Sequence, residues 1–203
     1  MELIIPIVIA IITSVVGPAL VAWIKNKIEN KPKDPLKDAI EYNELIEHQL
    51  ELILEHIHCS QVYITQFHNG GHFYPTGKSI QKFSIFYEVA KPNVSPLKNI
   101  YQNVPVSLFS RQLAELYEQG QIEVADLEND ETFGLEAFCT ENPYKSVYLL
   151  SIQDLDNRII GVMGIYYIHE KHDITKNEWI FIRQKLGAIG NLMSNYLHNK
   201  KQH

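Results

Sequence analysis

Two imidazoles, a carboxamide and two glycines fall within seven residues at Phe67-His68-Asn69-Gly70-Gly71-His72-Phe73. Two readings of this run stand side by side. His68 and Asn69 can sit at the rim of a binding site, exchanging hydrogen bonds with a ligand that the glycines let come close to the backbone. Alternatively Asn-Gly and Gly-Gly supply the positive φ angles of a turn, and the histidines are merely nearby. His56, His58 and Cys59 add metal-binding types just upstream. Their spacing matches no closed zinc site, and two residues i, i+2 on a helix face different directions, so no metal is expected. The chain shows no nucleophile elbow, phosphate-binding glycine loop or paired-carboxylate motif, so an enzyme is not expected. Its two cysteines, Cys59 and Cys139, read as free thiols of a reducing compartment.

These residues need elements to hold them. Gln61–His68 (QVYITQFH) is rich in β-branched and aromatic residues and reads as a strand, broken by Asn69-Gly70-Gly71. A second strand spans about Ser79–Ala90. Alternation along it turns Phe83, Ile85, Tyr87 and Val89 one way and Lys82, Ser84, Phe86 and Glu88 the other. The first set reads as buried and the second as able to line a cavity. The candidate ligand-binding residues are therefore His68, Asn69, Lys82, Ser84 and Glu88. A helix near Ser107–Gln119, a short strand within Gln121–Leu127 and a helical turn at Phe133–Cys139 follow. Ser146–Gln153 and Arg158–Ile168 form a hairpin about Asp154-Leu155-Asp156-Asn157. Gly161 and Gly164 in its second strand predict close approach of another backbone or helix.

Helices bracket this sheet. Over Lys37–Ile57, Ile46, Leu50, Ile53 and Ile57 recur at helical spacing, with Leu45, Leu52 and Leu54 widening the stripe. Over Lys176–Asn199, Ile182, Leu186, Ile189, Met193 and Tyr196 do the same. Such stripes pack on the domain's own sheet or on a second copy of the chain. Strands adjacent in sequence, with helices before and after, predict an α+β fold: an antiparallel sheet of five or six strands flanked by N- and C-terminal helices.

At the N-terminus, Leu3–Ile24 is 22 residues without a charge. As a helix it reaches roughly 33 Å, enough for a hydrocarbon core of about 30 Å. Pro18 is expected to kink it. Lys25, Lys27, Lys31, Lys33 and Lys37 follow, whereas no Lys or Arg precedes it, so the rest of the chain is expected on the cytoplasmic side. The expected organisation is a transmembrane helix (1–24), a juxtamembrane linker (25–36) with Pro32 and Pro35, and an α+β domain (37–203). Without residues 1–24, whose one charged side chain is Glu2, 18 basic and 23 acidic residues remain, a net −5 that argues against nucleic acid as partner.

From the leading helix through Gln66-Phe67-His68-Asn69-Gly70 to the closing hairpin, residues 37–199 resemble a GAF domain. The likeness is most evident in Ser151-Ile152, Gly161-Val162-Met163-Gly164-Ile165 and the long terminal helix. The resemblance implies helices 37–57 and 176–199 on one sheet face, a small-molecule pocket on the other under the irregular middle, and dimerisation through the terminal helices. The cyclic-nucleotide signature and a bilin-attaching cysteine context are both missing, so the cofactor stays unknown. The expected function is a membrane-anchored sensory or regulatory module that binds a small molecule or a protein partner. Two rivals are a phage-type or lysis- or defence-associated protein whose anchor is the effector, and a ligand-free membrane scaffold.

Overall fold

A computed structural model of the protein describes Ser14 and residues 16–29, 34–69, 72–73, 82–129 and 144–200. The chain divides into two compact units, residues 1–40 and 41–203. In the first, helix α1 (Gly17–Glu29) carries Pro18 in its opening turn. Ser14 and Val16, before it, are π-helical, and α1 runs on past Ile24 into the stretch expected as linker. Residues 3–13 and 15 of the expected span lie outside the described residues. Among those described, no helix is long and apolar enough to cross a membrane. Helix α2 (Pro35–His56) has a well-formed start. The Asp34 carboxylate accepts from the Leu36 and Lys37 amides at 3.0 and 3.3 Å, and Pro35 takes the first helical position.

In the second unit the strands are β1 (Gln61–Asn69), β2 (His72–Phe73), β3 (Lys82–Ala90), β4 (Val104–Pro105), β5 (Gln121–Val124), β6 (Ser146–Gln153) and β7 (Ile159–Tyr167). Six of them lie in the order β4-β3-β1-β7-β6-β5, every pair antiparallel, with β2 pairing the end of β1. Helix α3 (Ser110–Gln119) lies in the chain between β4 and β5, and α4 (Lys176–Lys200) closes the chain. The expected helical turn at 133–139 lies outside the described residues, as does Cys139.

Both stripes bury against the sheet. Ile46, Leu50 and Ile53 of α2 and Ile182, Ile189 and Met193 of α4 are each 0% exposed. They share one core with Val62, Ile64, Met163 and Ile165. Leu45 departs from its expected place and is exposed. The Gly161 expectation holds: a Cβ there would meet the Thr65 carbonyl at 2.4 Å and Met193 at 3.4 Å.

One expectation about β3 is corrected. Ile64 pairs with Tyr87 but Thr65 with Ile85, so Phe86 is an extra, unopposed residue. A bulge of this kind reverses the alternation. Ile85 packs with Leu97, Leu116 and Val162, whereas Tyr87 packs with Ile46 and Leu50. Phe83, Ile85, Tyr87 and Val89 thus do not share a face.

Candidate functional site

On the sheet face away from α2 and α4 lies a cavity. Tyr63, Thr65 and Phe67 of β1, Phe83 and Ile85 of β3, Leu149 of β6, and Val162 and Tyr166 of β7 form its floor. Leu97, Tyr101, Phe109, Gln112, Leu113 and Leu116 roof it. The space open to the centre of a water molecule is about 50 Å³, room for roughly three to five waters.

The polar atoms of the floor are largely spent on the fold. The Thr65 hydroxyl donates to the Val162 carbonyl at 3.3 Å and accepts from its amide at 3.2 Å, closing on β7. The Tyr63 and Tyr166 hydroxyls lie 2.8 Å apart. Burial pushes the Tyr63 phenol well above its ordinary pKa, with the bond to Tyr166 acting the other way, so it stays neutral. What remains for a guest is apolar and aromatic surface.

The roof is held by a carboxylate. Glu88 accepts from the Leu97 amide at 2.7 Å, the Lys98 amide at 2.8 Å and the Gln61 carboxamide. Tyr101 accepts from the Ile85 amide at 2.9 Å, so residues 97–103 run along the edge of β3.

The five residues expected at a ligand fall into separate places. His68 Nε2 and Ser84 Oγ lie 2.8 Å apart, both buried, and Ser84 also accepts from the Asn103 amide at 2.8 Å. Asn103 has φ 57°, a left-handed turn that this bond helps hold. Lys82 pairs across the sheet with His68, and Asn69, exposed, pairs with His72 at the strand end. Glu88 anchors the roof. None of the five lines the cavity wall. The wall residues that sequence reasoning passed over are Phe67, Phe83 and Ile85, together with Leu113 and Leu116 one helical turn apart on α3. Their signal was apolar alternation beside an amphipathic helix.

An antiparallel sheet with terminal helices on one face and a roofed cavity on the other is the GAF-domain fold. Solved structures of that fold superpose along most of this chain. A GAF domain of Synechocystis in its photoproduct state gives a TM-score of 0.62 at 12% identity, covering 80% of this chain and 99% of its own. The blue-light-absorbing PixJ GAF domain of Thermosynechococcus elongatus gives 0.60 at 15% identity, covering 84% and 94%. The GAF-domain region of a proposed membrane protein from Geobacter sulfurreducens gives 0.59 at 9% identity, covering 78% and 96%. At such identities the likeness establishes the fold. No protein-family model and no curated protein matches the sequence.

Proposed function

We propose that the chain is a membrane-tethered regulatory module whose GAF-fold domain takes up a small apolar or aromatic molecule. Occupancy lifts the 97–116 roof and changes how α2 and α4 pack, and a second copy of the chain or a partner protein reads that change. The observation that carries this reading is the cavity itself: on one face of the sheet, apolar, with the Tyr63 and Tyr166 hydroxyls closed on each other and that of Thr65 on the β7 backbone. Tethering is supported by the uncharged run 3–24 and by the exposed Leu20, Val21 and Trp23 of α1. The lysines that follow favour the cytoplasmic side for the domain. A bilin is disfavoured here, because about 50 Å³ is far too little for it and Cys59 belongs to the opposite, helix-side core.

The test uses the full chain in lipid nanodiscs with 5-fluoroindole as probe, followed by ¹⁹F NMR. The expected result is line broadening with the natural chain and its loss in Val162→Phe, which fills the floor, while the unfolding midpoint is retained. Equal spectra for both proteins would overturn the cavity as a binding site and favour the ligand-free scaffold.

A further inference from the structure

A second concavity lies on the other side of β3. Asn43 and Glu47 of α2, Phe86 at the bulge, and Lys98, Asn99 and Gln102 of the roof segment border an open groove of about 510 Å³. That volume is within the roughly 300–1,000 Å³ usual for small-molecule sites. Ile85 borders both spaces, so β3 is the partition between them.

The chemistry of the groove is opposite to that of the cavity. Tyr87 Oη donates to Asn43 Oδ1 at 2.8 Å, which fixes that carboxamide and leaves its NH₂ to donate. Gln102 Nε2 donates to the carbonyls of Ile85 and Lys98 at 2.8 and 2.6 Å, which leaves its carbonyl oxygen to accept. Among the described residues neither Glu47 nor Lys98 is in an ion pair. One anion, one cation, one amide donor, one amide acceptor and an aromatic ring thus border the same space.

We infer that this groove is a second binding site, for a small zwitterion of the α-amino-acid type with an apolar or aromatic side chain. Glu47 and the Gln102 carbonyl receive the ammonium group. Lys98 and the Asn43 amide receive the carboxylate, and the Phe86 ring takes the side chain. A neutral apolar molecule gains little here, and a simple anion or cation satisfies half of the groups and leaves the other charge unmatched. The bulge sets Phe86 and Tyr87, consecutive residues, on the same helix-side face of β3, where both border the groove. Because Lys98 and Gln102 belong to the segment that also roofs the apolar cavity, a guest in the groove stiffens that roof.

The site is tested by calorimetry on the full chain in nanodiscs, with L-phenylalanine as probe and 2-phenylethylamine and 3-phenylpropionate as its two half-charged controls. Binding of L-phenylalanine is expected below about 10 mM, with each control at least about tenfold weaker. Glu47→Gln and Lys98→Met, both surface substitutions, are each expected to weaken it about tenfold, while Val162→Phe leaves it unchanged. Absence of heat with L-phenylalanine, controls that bind as tightly, or indifference to both charge substitutions would overturn the site. Loss of binding in Val162→Phe alone would assign the amino acid to the apolar cavity and equally overturn it, without touching the proposal for that cavity.

Discussion

The ring of Tyr63 lies across the space that a side chain at Gly164 would need: a Cβ there would stand 2.3 Å from Tyr63 Cζ and 2.6 Å from its hydroxyl. Glycine at this point of β7 lets a β1 tyrosine lie flat on the sheet and reach Tyr166, forming one end of the cavity floor. Gly164→Ala must push the ring off the sheet and separate the two hydroxyls. Such a shift breaks the Tyr63–Tyr166 hydroxyl contact and the packing of the cavity floor, so the expected loss is about 1–3 kcal/mol, as for other overpacked cores. Urea unfolding measures it, and a change below about 0.5 kcal/mol, the scale of an ordinary surface substitution, would mean that the ring is free to move.

Two glycines of α4 make a controlled pair. A Cβ on Gly187 would meet nothing within 4 Å, whereas one on Gly190 would stand 2.7 Å from the Gln153 carbonyl. Gly187→Ala is therefore expected to raise stability by about 0.5–1 kcal/mol through helix propensity alone. Gly190→Ala is expected to lower it, because backbone at the end of β6 cannot yield as a side chain can. Parallel thermal melts decide this, and equal shifts of one sign would contradict the packing of α4 on β6.

The limits of the sequence follow the same physics. The stripes of α2 and α4 were legible because a buried helix face imposes its spacing on the sequence. The hairpin about Asp154 was legible because its turn residues and alternating flanks are local. The phase of β3 was not legible. Nothing in Ser84-Ile85-Phe86-Tyr87 announces the unopposed Phe86, which arises only when Ile64 and Thr65 of β1 pair with it. The bulge also separates the candidate residues of β3, because a face that holds Lys82, Ser84 and Glu88 together is continuous only in a regular strand. His68, expected at a pocket rim or beside a turn, is buried and joined to Ser84, away from the cavity wall. Gly164 was legible as a close approach, although its neighbour is an aromatic ring rather than backbone or helix.

Glu88 fastens the start of the roof with two backbone amides and the Gln61 carboxamide. Glu88→Ala removes a charged acceptor and strands the Leu97 and Lys98 amides. The expected destabilisation is about 1–3 kcal/mol, with faster hydrogen exchange concentrated in residues 97–103. Exchange spread evenly over the sheet would show that the carboxylate does not hold the roof.

Asp154 is a buried carboxylate whose charge the fold stabilises. Burial opposes its charge, but the Arg158 and Asp156 amides and the Arg158 guanidinium outweigh it, so its carboxyl is held below the usual carboxylate range. A depressed folded-state pKa contributes stability that is fully present above the unfolded value and is lost as pH falls through the folded one. Unfolding free energy is thus expected to fall as the solution is acidified below about pH 4, the ordinary carboxylate value. Asp154→Ala should flatten that fall while costing about 1–3 kcal/mol at neutral pH. An acid limb of unchanged slope in the variant would transfer the effect to other carboxylates.

Cys59 is fully buried in the core between α2, α4 and the sheet. Burial pushes its thiol up to about 12, against a smaller opposing pull from Lys91. Alkylation requires the thiolate and access to it, and both are withheld in the folded chain. Iodoacetamide at pH 8 is therefore expected to leave Cys59 unmodified in the native protein and to label it fully in urea, as read by peptide mass spectrometry. Because reaction then proceeds only through opening of this core, Gly190→Ala, which loosens α4, should speed labelling in proportion to the stability it removes. Labelling of Cys59 at the rate of a free thiol in the native protein would mean that α2 and α4 do not seal the sheet, and the helix-side core described above would be wrong at that point.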